Sequence, residues 1–195
     1  MRRTVKAWLM AGAVCLAMVA VACGAGGDGD GVIGGGGDDA VSAEGKPYAE
    51  SLEKNLTEGD EGKLELSDEQ AGCIAPKWVN TMKPDRLKKA GIKPADVAED
   101  DNAEIFVRLK LSTDEGNALV DAFIDCGVEL KETYLASSAG LSDDDKMCLN
   151  DAISEDFLRE ILVLGFTEGP AALDEDSDVR KELEKVLDKC PGAGD

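Results

Sequence analysis

Leu66-Ser67-Asp68-Glu69-Gln70-Ala71-Gly72-Cys73-Ile74 and Leu141-Ser142-Asp143-Asp144-Asp145-Lys146-Met147-Cys148-Leu149 are two copies of one pattern. Both run Leu-Ser-Asp-acid and then reach a cysteine followed by an aliphatic residue, at a constant offset of 75. A serine before an acid-rich stretch is a helix N-cap, because its hydroxyl accepts from a free backbone N–H and the acids complement the positive end of the helix dipole. Ser67 with Gln70 also completes a capping box. Each copy therefore opens a helix that carries a cysteine near its start, and a fixed offset of this kind marks an internal duplication.

The likeness extends downstream. Asp85-Arg86-Leu87-Lys88-Lys89-Ala90-Gly91-Ile92 resembles Arg159-Glu160-Ile161-Leu162-Val163-Leu164-Gly165-Phe166. In both, a short helix that ends in Gly and then an apolar residue suits a C-terminal cap. Leu119, Phe123 and Cys126 recur as Leu183, Leu187 and Cys190 at an offset of 64, with the spacing that puts all three on one helix face. Val179, Leu183, Val186, Leu187 and Cys190 form the clearer stripe, which Pro191-Gly192 stops.

The expected architecture is all-α, with two tandem three-helix units following a disordered tether rich in Gly and Asp. The units span 64–138 and 139–195, with 47–63 as a lead-in and Tyr134 to Gly140 as the join. Segment 104–111 is ambiguous. Its alternation of Ile105, Val107, Leu109 and Leu111 suits a strand. The second unit offers no strand to pair with it, which leaves a helix or an extended packing segment.

These repeats resemble small cysteine-bearing helical repeats in secreted actinobacterial proteins of unknown function. The Leu-Ser-Asp-acid…Cys opening and the later cysteine carry the likeness, which covers most of 64–192. It implies a fold and lends no activity.

The N-terminus has a different character. Arg2, Arg3 and Lys6 precede an uncharged run from Ala7 to Ala22, and no acid occurs before Asp28. A basic head with an apolar run too short to span a bilayer is the form of a secretory signal. Ala20-Val21-Ala22-Cys23 at the end of that run resembles the lipobox of bacterial lipoprotein precursors, with Ala20 where Leu is commonest. Cys15 fits less well, since Val14 precedes it in mid-run. The resemblance implies removal of 1–22, a diacylglycerol thioether on Cys23 and a second acylation of the new N-terminus. Free secretion after ordinary cleavage and an uncleaved anchor are the competing readings. Two or more chains hold a protein firmly, whereas one of myristoyl length binds marginally. Residues 23–46 then read as the lipidated terminus and a flexible spacer, whose 23 residues after Cys23 have an r.m.s. reach of about 25–30 Å.

An exported chain with four domain cysteines is expected to carry two disulfides. Three pairings are open, and the duplication favours one within each unit, Cys73–Cys126 and Cys148–Cys190. Free buried thiols and redox work are the alternatives. The chain has no Cys-x-x-Cys for a thioredoxin-type site or a zinc ribbon.

Composition narrows the chemistry. Removing 1–22 takes away three basic residues and no acid, leaving 18 Lys+Arg against 41 Asp+Glu and a net charge of −23. Such a charge repels nucleic acid and anionic lipid surfaces, and would keep an anchored protein from lying flat on an anionic membrane. The chain has no histidine, which excludes Ser-His-Asp and Cys-His catalysis and His-ligated zinc. Carboxylate-only chemistry, as in glycosidases, remains open, but the mature chain offers few aromatic rings for sugar stacking. Asp28-Gly-Asp30-Gly lacks the third oxygen ligand of a calcium loop, because Val32 stands there. The acidic clusters 99–101, 143–145 and 174–178 read as helix ends or solvated surface, with weak divalent-cation binding as their functional alternative. Trp78, with Ile74 and Met82 at helical spacing, reads as core.

The expectation is thus a non-enzymatic lipoprotein on the outer face of the cell membrane. It would need no cofactor and would be joined to the membrane through Cys23. A basic protein or ligand of the envelope is the partner class its charge would suit. A carboxylate-dependent hydrolase of envelope glycan is the alternative.

Overall fold

The computed structural model describes residues 40–58, 66–98, 102–138, 140–174 and 176–194, all within one compact unit that begins at Gly35. Among them the regular structure is entirely helical. Ten α-helices follow in order: α1 (Lys46–Thr57), α2 (Asp68–Met82), α3 (Pro84–Lys89), α4 (Pro94–Val97), α5 (Asn102–Leu109), α6 (Thr113–Asp125), α7 (Leu130–Ser137), α8 (Asp143–Ala152), α9 (Glu155–Glu168) and α10 (Asp178–Lys189). Short 3-10 turns cover Gly169–Leu173 and Pro191–Gly194.

The duplicated motif begins α2 and α8 as expected. Ser67 Oγ accepts from the Gln70 backbone N–H at 3.2 Å, and Gln70 Oε1 accepts in return from Ser67 N–H at 3.1 Å. Ser142 Oγ accepts from Asp145 N–H at 3.2 Å. Ser112, Ser154 and Ser177 cap α6, α9 and α10 in the same way. A cap of this kind contributes about 1 kcal/mol.

Two helices close with the C-terminal motif that the glycines foreshadow. At the end of α3, Ile92 N–H donates to Leu87 O at 3.0 Å while Gly91 turns at φ 69°. At the end of α6, Val128 N–H donates to Phe123 O at 2.9 Å with Gly127 at φ 72°. Glycine populates this left-handed region without a Cβ penalty. Gly165 differs from the expectation. It lies inside α9, which continues to Glu168 and closes at Gly169, φ 64°. A mid-helix glycine costs about 1 kcal/mol. Here Phe166 is held against the rings of Trp78 and Phe106, and that packing carries the helix through.

Three further expectations are refined. Segment 104–111 is mostly helix, because burial falls on Ile105, Phe106 and Leu109 at helical spacing while Val107 is 42% exposed. The lead-in 47–63 contains α1, whose Tyr48, Ala49 and Leu52 are buried in the first core. The join at 134–140 is helical through Ser137, since α7 covers it.

Most of the buried apolar residues among those described fall into two clusters. The first gathers Leu52, Ile74, Trp78, Met82, Leu87, Ile92, Leu119 and Phe123, among others, from α1 through α6. The second is smaller: Leu135, Leu149, Ile153, Leu158, Val186 and Cys190. Helix α7 touches both clusters, with Leu130 packed against each and Leu135 buried in the second. Helix α9 serves both, with Leu158 in the second cluster and Phe166 against the first. It crosses α6 closely at Gly116, where an added Cβ would lie 2.9 Å from Thr167 Cγ2 and 3.2 Å from Val163 Cγ1.

Candidate functional site

The two disulfides are the chemistry on which the fold turns. Cys73 is joined to Cys126, and Cys148 to Cys190, with a Cα–Cα distance of 5.8 Å in each. The pairing within units that the duplication favours is the one present. Topology repeats as well: Cys73 and Cys148 are each the sixth residue of their helix, and Cys126 and Cys190 are each the C-cap residue of theirs. Each bridge pins the end of one helix to the first turns of another. Gln70 reinforces the first by donating from Nε2 to Gly127 O at 3.2 Å. Closing loops of 53 and 42 residues contributes about 4 kcal/mol apiece in the chain-entropy account. Cys23, Cys15 and the Asp28-Gly-Asp30-Gly stretch lie outside the described residues.

The aromatic residues are nearly all committed to packing. Trp78 stands edge-on to Phe106, Phe123 and Phe166, with centroid distances of 5.8, 5.1 and 5.2 Å. Its Nε1–H donates to Leu119 O at 2.9 Å. Tyr48 is buried and donates its hydroxyl to Ile92 O at 2.8 Å; burial pushes its pKa up. Tyr134, at 40% exposure, is the most open described ring. Trp78 with Ile74 and Met82 is therefore core.

Four of the clustered acids fall where helices begin. Asp143, Asp144 and Asp145 fill the first turn of α8, and Asp178 that of α10. Residues 99–101 and Glu175 are not among those described. Among the described residues, no group of three or more acidic or cysteine side chains is arranged to hold a metal ion. Among the described residues two carboxyls are clearly displaced from the ordinary glutamate value, and both are lowered. Glu182 is exposed beside Lys185. Glu115 is held down first by the backbone N–H of Ser112 and then by Arg86.

Arg86 reaches three partner residues on two other elements. Its Nη1 donates to Glu115 Oε1 at 2.6 Å, and its Nη2 to Lys110 O at 2.7 Å and to Leu109 O. From α3 it thus satisfies carbonyls at the end of α5 and the capping-box glutamate of α6. Sequence reading overlooked it. Its only signal was an arginine on a short helix with too few acids nearby to pair with.

One cleft of about 260 Å³ lies between the end of α6, the start of α7 and the first turns of α9. Ile124, Gly127, Glu129, Lys131, Leu158 and Arg159 line it. Ile124 is 53% exposed. Arg159 is already held, with Nη2 donating to Asp121 Oδ1 at 2.7 Å and to Asn117 Oδ1 at 3.0 Å. Ligand pockets for drug-sized molecules occupy ~300–1,000 Å³ with apolar walls; this cleft is smaller and of mixed charge. Among the described residues, no helix is long and apolar enough to cross a membrane.

No family model matches the chain, and neither any curated protein nor any solved structure matches it.

Proposed function

We propose that the chain is a bacterial lipoprotein, held to the outer face of the membrane by lipid on Cys23, whose stapled helical domain is a non-enzymatic interaction module. The observation that carries the reading is the pair of disulfides at equivalent helix positions. Disulfides persist in oxidising compartments and are rare in the cytosol. That is the environment to which the basic head, apolar run and Ala20-Val21-Ala22-Cys23 would deliver the domain. The repeat's likeness to secreted actinobacterial proteins points the same way.

The interaction reading draws support from how the side chains are used. The rings that could form a sugar platform are turned inward around Trp78. The clearly displaced carboxyls among the described residues are lowered, whereas a general acid working near neutrality needs a raised one. The test of anchoring is detergent phase partitioning of the expressed protein. The natural sequence should enter the detergent phase and Cys23→Ala the aqueous or unprocessed pool; identical partitioning of the two would refute it.

A further inference from the structure

The charge of the folded domain is not evenly spread. Residues 83–93 carry Lys83, Arg86, Lys88, Lys89 and Lys93 against the single acid Asp85, a net charge of +4 on eleven residues of a chain whose total is −20; from outside the stretch Glu115 pairs with Arg86, Glu44 with Lys88, and Asp96 accepts from the Lys93 N–H. The helix they build, α3, has only six residues, about 9 Å of axial length, so these charges are crowded together. Arg108 joins them from α5, donating to Ala90 O. Lys83, Lys89 and Lys93 are exposed and make no ion pair with the described residues.

This basic corner lies where the chain from the N-terminus reaches the fold. Lys88 Nζ is 3.1 Å from Glu44 Oε1. Gly45, just before α1, is packed so closely on Pro84 and Val79 that a Cβ there would lie 2.9 and 3.2 Å from their side chains. Val41 also packs against the first core. A lipid on Cys23, seventeen residues before Ala40, would therefore keep the bilayer within reach of this corner.

We propose that the α3 corner docks on anionic lipid headgroups and so orients the anchored domain, a step that rests on the Cys23 anchor proposed above. Charge complementarity favours a lipid surface over a protein partner, because the tether supplies that surface at high local concentration. The overall negative charge opposes approach only at long range. At physiological ionic strength the Debye length is about 8 Å, so acids beyond that distance are screened at contact. Each lysine at an anionic surface then gives roughly a five-fold preference.

The test takes the chain from Cys23 to Asp195 and couples it through the Cys23 thiol to a maleimide lipid, the domain cysteines being held in disulfides. Orientation is then read whether or not cells lipidate that residue, and anchoring is judged separately by partitioning. Vesicles of phosphatidylcholine alone are compared with vesicles that also contain phosphatidylglycerol, using pulsed acetylation of each lysine read by mass spectrometry. Lys83, Lys89 and Lys93 should label at least about five-fold more slowly on the anionic vesicles. Lys181 and Lys185 of α10 should be unchanged, and raised salt should abolish the difference. The triple variant with Lys83→Gln, Lys89→Gln and Lys93→Gln should lose anionic-lipid protection at Lys88, the remaining lysine of α3. Equal labelling on both vesicle types would overturn the proposal. So would equal protection on neutral vesicles, the mark of contact with protein, or protection of α10 to the same degree.

Discussion

Two side chains show how single residues hold this fold. Arg86 joins α3, the end of α5 and Glu115 through its planar fork, with its side chain 30% and Glu115's 23% exposed. Arg86→Ala should cost about 1–2 kcal/mol in chemical denaturation, reduced from the value of a fully buried pair by solvent screening. Arg86→Lys should recover less than half of that, since one ammonium cannot serve the carboxylate and the carbonyls together. Glu115 gives a pH signature. Its carboxyl is lowered in the folded state, so its contribution is complete above the ordinary glutamate value. That contribution is lost as pH falls through the lowered folded value. Glu115→Gln should flatten that part of the acid limb of stability; an unchanged limb would show the pairing to be without weight.

At the scale of elements, two glycines separate steric from conformational demands. Gly116 lies where α6 crosses α9, and its missing Cβ makes room for Thr167 and Val163. Gly116→Ala should destabilise by about 1–3 kcal/mol through overpacking. Gly127 has nothing within 4 Å of the Cβ position but sits at φ 72°. Gly127→Ala should therefore cost about 1 kcal/mol from the left-handed backbone alone. Thermal denaturation of both variants checks the ranking. The glycines also mark where sequence reading succeeds and fails. Gly91 was legible as a helix end because a local backbone rule governs it. Gly165 was misleading because a distant contact, Phe166 against Trp78, overrides that rule. The serine caps were readable for the same local reason, and the cysteine pairs because the duplication repeats them. The core role of α1 and the bracing by Arg86 were not, since both depend on partners dozens of residues away.

For the whole molecule, the duplication yields two cores and two staples, yet α9 contributes to both clusters and makes them interdependent. Unfolding with disulfides intact should be one cooperative transition by circular dichroism and by tryptophan fluorescence from Trp78; two separated transitions would show the units to be independent. The Cys148–Cys190 bridge supports the smaller cluster, so replacing that pair by serine should lower the melting temperature more than replacing Cys73–Cys126. The loop-entropy gains are nearly equal, about 4 kcal/mol each, and the difference comes from how little apolar packing remains in the second cluster. The proposed address is a separate matter, read from the first two dozen residues alone, and all of the proposed biology depends on it. The most direct measurement is the mass of the N-terminal peptide of protein recovered from membranes. The account predicts a peptide that begins at Cys23 and bears a diacylglycerol thioether and an amide-linked acyl chain. An unmodified Cys23, or a peptide that still carries residues 1–22, would contradict it.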